Sequence, residues 1–176
     1  MRSHPRIPEP GSHMTAATKI RMAVKGLVVD PTTNVPMVVL RGEEEAYVLP
    51  IWVGVFEANA IALQVERIET PRPMTHDLLR AVIAKLGAEV AEVAITDLRE
   101  STFYAHVVLR HADREVIVDA RPSDAIALAL RTGAPIYAHA DVIEKAKSFD
   151  VGSEDPEKLR QWFESLSIDE MGHFEM

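Results

Sequence analysis

Val38-Val39-Leu40-Arg41 recurs as Val107-Val108-Leu109-Arg110, and Ala60-Ile61-Ala62-Leu63 recurs as Ala125-Ile126-Ala127-Leu128, at offsets of 69 and 65 residues. Two matches in one order point to a duplicated unit. Working outward, extended runs at 24–29, 37–40 and 46–52 precede a helix over Glu57 to Val65. Runs at 90–95, 103–109 and 115–119 precede a second helix over Ser123 to Arg131. Each half reads as three strands and a helix. Asp30-Pro31-Thr32-Thr33-Asn34, Arg41-Gly42-Glu43-Glu44 and His111-Ala112-Asp113 mark turns between the runs, and such short connections make neighbouring strands antiparallel. Four-residue apolar matches also arise by chance, so the repeated order of elements decides for duplication. The expected fold is α+β: a single domain with a mostly antiparallel sheet and packed helices, because the strands come in sets of three and do not alternate singly with helices.

Between the halves, Thr75-His76-Asp77-Leu78-Leu79 is a capped start to a helix ending at Leu86-Gly87. Leu78, Leu79, Val82, Ile83 and Leu86 give that helix an apolar face. Ser123 or Asp124 is the expected N-cap of the second-half helix, and Gly133 is its expected stop. Pro135 to Ala138 adds a strand, and Asp141 to Lys147 a short helix. Residues 1–13, ending in Gly11-Ser12-His13, read as an expression-vector scar. Residues 14–149 form the body, and residues 150–176 an acidic tail whose helix is expected to dock through Leu159, Trp162, Phe163 and Leu166.

The 176 residues are 47% apolar and 26% charged, with no cysteine. A disulfide framework, thiolate metal sites and a cysteine nucleophile are therefore excluded, and a reducing, cytoplasmic setting is expected. No apolar run is long enough to span a membrane, and no signal peptide follows Met14. Net charge is −8, or −9 once residues 1–13 are set aside, of which the tail from residue 150 holds −6. The body is thus close to balanced, which excludes a strongly basic nucleic-acid binder but permits local phosphate contacts.

A Gly-rich phosphate loop with Lys-Ser or Lys-Thr, a His-Glu-x-x-His pair and a Gly-x-Ser-x-Gly elbow are all absent from the sequence. Polar residues instead gather where elements meet. Asp119-Ala120-Arg121-Pro122-Ser123-Asp124 places Asp119 at a strand end, Arg121 in a turn, and Ser123 and Asp124 at a helix start, where exposed N–H groups favour anions. Two carboxylates across that turn could share a divalent cation while Arg121 holds a phosphate, the ingredients of metal-assisted phosphodiester hydrolysis. Read blandly, Ser123 and Asp124 are cap residues and Arg121 pairs with Asp119. His76 in a first helical turn is a candidate general base with Asp77 beside it, although Asp77 is also a routine first-turn acid. Glu57 opens the first-half helix and is either a further metal ligand or another such acid. The remaining histidines, among them His106 and His139, lack ligand-like spacing and read as structural or solvated.

Taken together, Leu49-Pro50-Ile51-Trp52-Val53-Gly54, Phe56-Glu57-Ala58, Arg72-Pro73-Met74-Thr75-His76-Asp77-Leu78-Leu79, Thr102-Phe103-Tyr104-Ala105 and Asp119 to Leu128 resemble the bifunctional nuclease domain family over about residues 22–147. The resemblance implies an α+β fold and a nuclease acting on DNA and RNA. Its motifs coincide with Glu57, Arg72, His76, Asp77, Asp119, Arg121, Ser123 and Asp124. The expectation is a low-specificity nuclease with Mg or Mn on Asp119, Asp124 or Glu57. His76 and Asp77 complete its catalytic set, and Arg72, Arg121 and Ser123 contact substrate. DNA and RNA should bind weakly and cleavage should stop in chelator. A homodimer is expected from the strand edges that need covering. The alternative from another class is a non-catalytic oligomeric module that binds a small anionic ligand.

Overall fold

The computed structural model describes residues 18–30, 33–43 and 47–148. The first half runs β1 (Lys19–Val29), β2 (Pro36–Gly42), β3 (Val48–Trp52) and α1 (Val55–Val65). After α2 (Thr75–Lys85), the second half runs β4 (Ala88–Arg99), β5 (Thr102–His111), β6 (Arg114–Ala120) and α3 (Pro122–Thr132). The strand β7 (Ile136–His139) and α4 (Ala140–Ser148) follow. The expected 1–13 segment and the C-terminal helix lie outside the described residues.

One seven-stranded sheet has the order β3-β2-β1-β7-β4-β5-β6. Every neighbouring pair is antiparallel except β4 and β7. The α+β reading holds, and each three-stranded meander is followed by its own helix. The two meanders flank β7, so the repeat of element order is matched in space. Descent from one duplicated unit stays an expectation drawn from that order.

Burial explains which faces carry the core. In β2 the run Met37-Val38-Val39-Leu40 is buried throughout, as a strand covered on both faces requires. In β5, Ala105 and Val107 are buried whereas Tyr104 and His106 between them point to the other face. The helices α1 and α3 pack on one another through buried alanines, Ala58 and Ala62 on one and Ala125, Ala127 and Ala129 on the other. Small side chains permit that close approach.

Two local expectations are corrected. The N-cap of α3 is Arg121, with Pro122 in the first turn, and not Ser123 or Asp124. Proline's fixed φ starts the helix earlier and leaves the Asp124 carboxylate available for side-chain partners. On α2 the apolar residues do not form one buried face: Ile83 is buried, but Leu78 is 60% and Leu86 71% exposed. Gly133 does stop α3, in the left-handed conformation with φ of 71°.

The three helices α1 to α3 are tied by one buried guanidinium. Arg131, near the end of α3 and with its side chain 1% exposed, donates from Nε to Asp77 Oδ1 at 2.7 Å. Its Nη1 donates to the carbonyl oxygens of Ala60 at 3.0 Å and Ala127 at 2.9 Å. Asp77 Oδ2 meanwhile accepts from the Met74 N–H at 2.8 Å, which caps α2, and Arg80 on α2 donates to the Arg131 carbonyl at 3.1 Å. Burial raises the Asp77 carboxyl, but the Met74 N–H and the hydrogen bond and charge of Arg131 outweigh it, so the net shift lies below the ordinary value of 3.8.

Replacing Arg131 by Met should cost on the order of 3 kcal/mol in urea unfolding, because two carbonyls and a carboxylate lose their donor together. Asp77→Asn should cost less, since Arg131 keeps both carbonyls. A depressed native carboxyl stabilises the fold above the unfolded value and loses that contribution as pH falls through the native one. Parent stability should therefore decline below about pH 4 more steeply than that of Asp77→Asn, measured by urea midpoints across pH; equal slopes would refute the role of this pair.

Candidate functional site at three helix starts

The packing set by Arg131 brings the N-terminal turns of α1, α2 and α3 together. Across them runs a chain of polar side chains. His76 Nε2 on α2 lies 3.1 Å from Asp124 Oδ1 on α3. The Arg121 Nε donates to Asp124 Oδ2 at 2.7 Å, and its Nη1 reaches Glu57 Oε1 on α1 at 2.9 Å. His76 is buried at 8% exposure, while the Arg121 side chain is 65% exposed, so the chain leads from the interior to solvent.

The electrostatics follow from this geometry. Burial pushes the Asp124 carboxyl up, but hydrogen bonds from Arg121 and His76 outweigh it and the net shift is downward, so Asp124 is an anion at neutral pH. An anionic acceptor beside Nε2 places a ring hydrogen on that nitrogen and turns Nδ1 away from Asp124. Three helix N-termini add fixed partial positive charge to the same place. Gly54 precedes α1, and a Cβ there would overlap the Glu57 carboxylate. Glycine thus allows Glu57 to fold back over its own helix start toward Arg121. Phe56, 88% exposed, stands beside Glu57.

Of the eight residues singled out in the sequence, the structure unites Glu57, His76, Arg121 and Asp124, with Ser123 buried in the same turn of α3. Asp77 is adjacent, but both its oxygens are engaged by Arg131 and the Met74 N–H. Arg72 lies exposed in the bend before α2, where its carbonyl accepts from Thr70. Asp119 is not brought to Asp124. It pairs with His106 across β5 and β6, on the sheet face away from Ala105 and Val107, and lines a separate pocket.

This placement bears on the expected divalent ion. Among the described residues, no group of three or more histidine or acidic side chains is arranged to hold a metal. Arg121 bridges Glu57 and Asp124, so an ion bound by both carboxylates would have to displace the guanidinium. As arranged, the donors do not fit a divalent ion. Nothing along the chain marks Arg131, which looks like an ordinary cation in a last helical turn, and the motif that contains Phe56 does not foretell its exposure, which depends on the packing of α1.

The fold and site define an α+β domain with an anion-compatible junction of helix starts. Residues 38–150 match the model of the bifunctional nuclease domain, and the chain belongs to that family. An uncharacterized protein of Mycobacterium tuberculosis is 41% identical over 158 residues, covering 84% of this chain and 94% of that one. Bifunctional nuclease 2 of Oryza sativa subsp. japonica is 28% identical over 128 residues, 70% of this chain and 38% of its own. Bifunctional nuclease 1 of Arabidopsis thaliana is 30% identical over 108 residues, 59% of this chain and 33% of its own. These similarities suggest a nuclease. No helix among the described residues is long and apolar enough to cross a membrane.

If Arg121 occupies the place a cation would take, Arg121→Ala should create divalent affinity. Millimolar Mn²⁺ is expected to raise the thermal midpoint of that variant and leave the parent unchanged. Equal stabilisation of both proteins would show that an ion binds with the guanidinium in place.

Proposed function

We propose that this protein is a low-specificity nuclease that hydrolyses phosphodiester bonds of DNA and RNA at the junction of α1, α2 and α3. The observation that supports this reading best is the continuous Glu57–Arg121–Asp124–His76 chain across three helix starts. Asp124 holds the His76 ring, and Nδ1 takes a proton from the attacking water as general base. Arg121 spends Nε and Nη1 on the two carboxylates, which leaves Nη2 for a phosphate oxygen. Phe56 offers a ring on which a base stacks, a contact indifferent to sequence. With a nearly balanced body charge, polynucleotide binding is weak and falls with added salt.

The reaction as derived uses protein groups only. A requirement for Mg²⁺ or Mn²⁺, expected from the sequence, is measured directly by assaying with either ion and with chelator. On single-stranded DNA, His76→Gln and Asp124→Asn are each expected to lower the cleavage rate by about 10²- to 10⁴-fold while the proteins stay folded by circular dichroism. Parent-like rates in both variants would place the chemistry elsewhere.

The homodimer is also our proposal. It is supported by the exposed Leu78, Val82 and Leu86 on α2 and by the edge strand β6, where Val116 and Ile117 are at least half exposed. Sedimentation should give twice the chain mass for the parent and a shift toward monomer for Leu78→Lys/Val82→Glu; a parent at monomer mass throughout the micromolar range would refute it.

A further inference from the structure

On the sheet face opposite Ala105 and Val107 lies a pocket of about 370 Å³, in the size range of sites for small molecules. Thr96, His106 and His139 line it from half-buried positions, and Arg99, Tyr104 and Asp119 from exposed ones. None of them belongs to the helix-start chain. A β-bulge between Ile95 and Asp97 breaks the β4 register here, and bulges of this kind re-aim side chains. Asp97 accepts from the Arg99 Nε at 2.5 Å and from the Lys145 Nζ of α4 at 2.6 Å. The carboxylate thus holds two cations at one wall, and the Nη groups of Arg99 stay available for an outside anion. The same guanidinium lies 5.1 Å from the centre of the Tyr104 ring, and Tyr104 is 39% exposed. Cationic donors and an open aromatic surface therefore stand side by side.

That wall adjoins the helix starts. The last paired residues at this end of β5 and β6 are Ala105 and Ala120, so Tyr104 and Arg121 are the next across from one another. Arg121 keeps an extended backbone, with φ of −70° and ψ of 145°, and the strand spacing of about 5 Å carries on to these two residues. Beyond its backbone, Arg121 bonds Asp124 and Glu57 on the helix side. The two polar regions occupy opposite faces of the sheet and meet at one end of it, with Arg121 between them. A strand held at Arg121 runs on past Tyr104.

We propose that this pocket takes one unpaired base of the strand cut at the helix starts, and thereby makes the protein select single-stranded nucleic acid. This rests on the reading of the helix starts as a nuclease site. Arg99 and Lys145 hold the phosphate of that nucleotide, and Tyr104 stacks on its base. Charge orients the nucleotide: the phosphate stays with the cations, while the uncharged base faces Asp119, His106 and His139, whose polar atoms suit its edge. Stacking is indifferent to the sugar, so RNA and DNA strands are held alike. A base within a duplex has its edge paired and both faces stacked, and it reaches the pocket only after unpairing and unstacking.

The test uses the full chain in chelator and reads fluorescence anisotropy of a fluorescein-labelled DNA strand of about twelve nucleotides, the same strand in a duplex, and an abasic strand of equal length. The single strand should bind about tenfold tighter than the duplex. Tyr104→Ala and Arg99→Gln should each weaken single-strand binding by about tenfold with the thermal midpoint at the parent value, and Tyr104→Phe, which keeps the ring, should bind as the parent does. On the abasic strand, Tyr104→Ala and the parent should be equal. Equal parent affinity for single strand and duplex, parent-like single-strand binding by Tyr104→Ala, or the same weakening of Tyr104→Ala on the abasic strand would each overturn the proposal. Under cleavage conditions, Tyr104→Ala should raise KM about tenfold while kcat stays within about twofold. A fall in kcat with KM unchanged would place Tyr104 in the chemistry or the fold and refute the base pocket. Selective binding without any cleavage by the parent would refute the helix-start nuclease and leave the base pocket standing.

Discussion

A single buried guanidinium holds the arrangement on which the rest of the molecule depends. Arg131 sits on α3 with almost no exposed surface, yet it bonds a carboxylate on α2, a carbonyl on α1 and a carbonyl of its own helix. A charge so deeply placed is stable only when its donors are satisfied in specific directions. Those directions fix how α1 and α2 lie against α3. The alanines at the contact let the helices come close, but small apolar side chains alone would allow them to slide. The guanidinium selects one register.

That register has a chemical consequence at the opposite end of α3. Asp124 is two helical turns before Arg131, so both side chains leave α3 on the same side, and the face that Arg131 anchors to Asp77 also presents Asp124 to His76. Glu57 and Arg121 extend the contact to α1. Proline at the first position of α3 matters here, because it moves the cap to Arg121 and leaves the carboxylate of Asp124 for its partners. Structural and chemical roles are thus divided between neighbouring acids: Asp77 is consumed by capping and by Arg131, whereas Asp124 links the ring and the exposed cation.

The sheet separates two sets of polar residues that are close in sequence. Asp119 and Asp124 are five positions apart, and a reading along the chain places them together. Strand alternation sends Asp119 to the face of His106 and Tyr104, while the chain turns after Ala120 into a helix on the other face. The same alternation gathers His106 and His139, which are 33 residues apart and have no ligand-like spacing. Their shared pocket arises because β7 inserts beside β4, a pairing between strands separated by β5, β6 and α3.

Sequence alone determined the elements, because each is a local matter of periodicity and punctuation. Alternating and continuous apolar runs gave the strands, turn residues gave their antiparallel order, and Gly133 gave the end of α3. It also determined which segments carry concentrated polar chemistry, and the motifs that mark the family. Tertiary structure decided which of those polar residues meet. Whether Glu57 touches Arg121, whether α2 buries its leucines, and which face receives Asp119 depend on helix packing and on the insertion of β7. These are contacts between residues tens of positions apart, set by the burial of Arg131 and by strand pairing, and no local pattern in the chain encodes them.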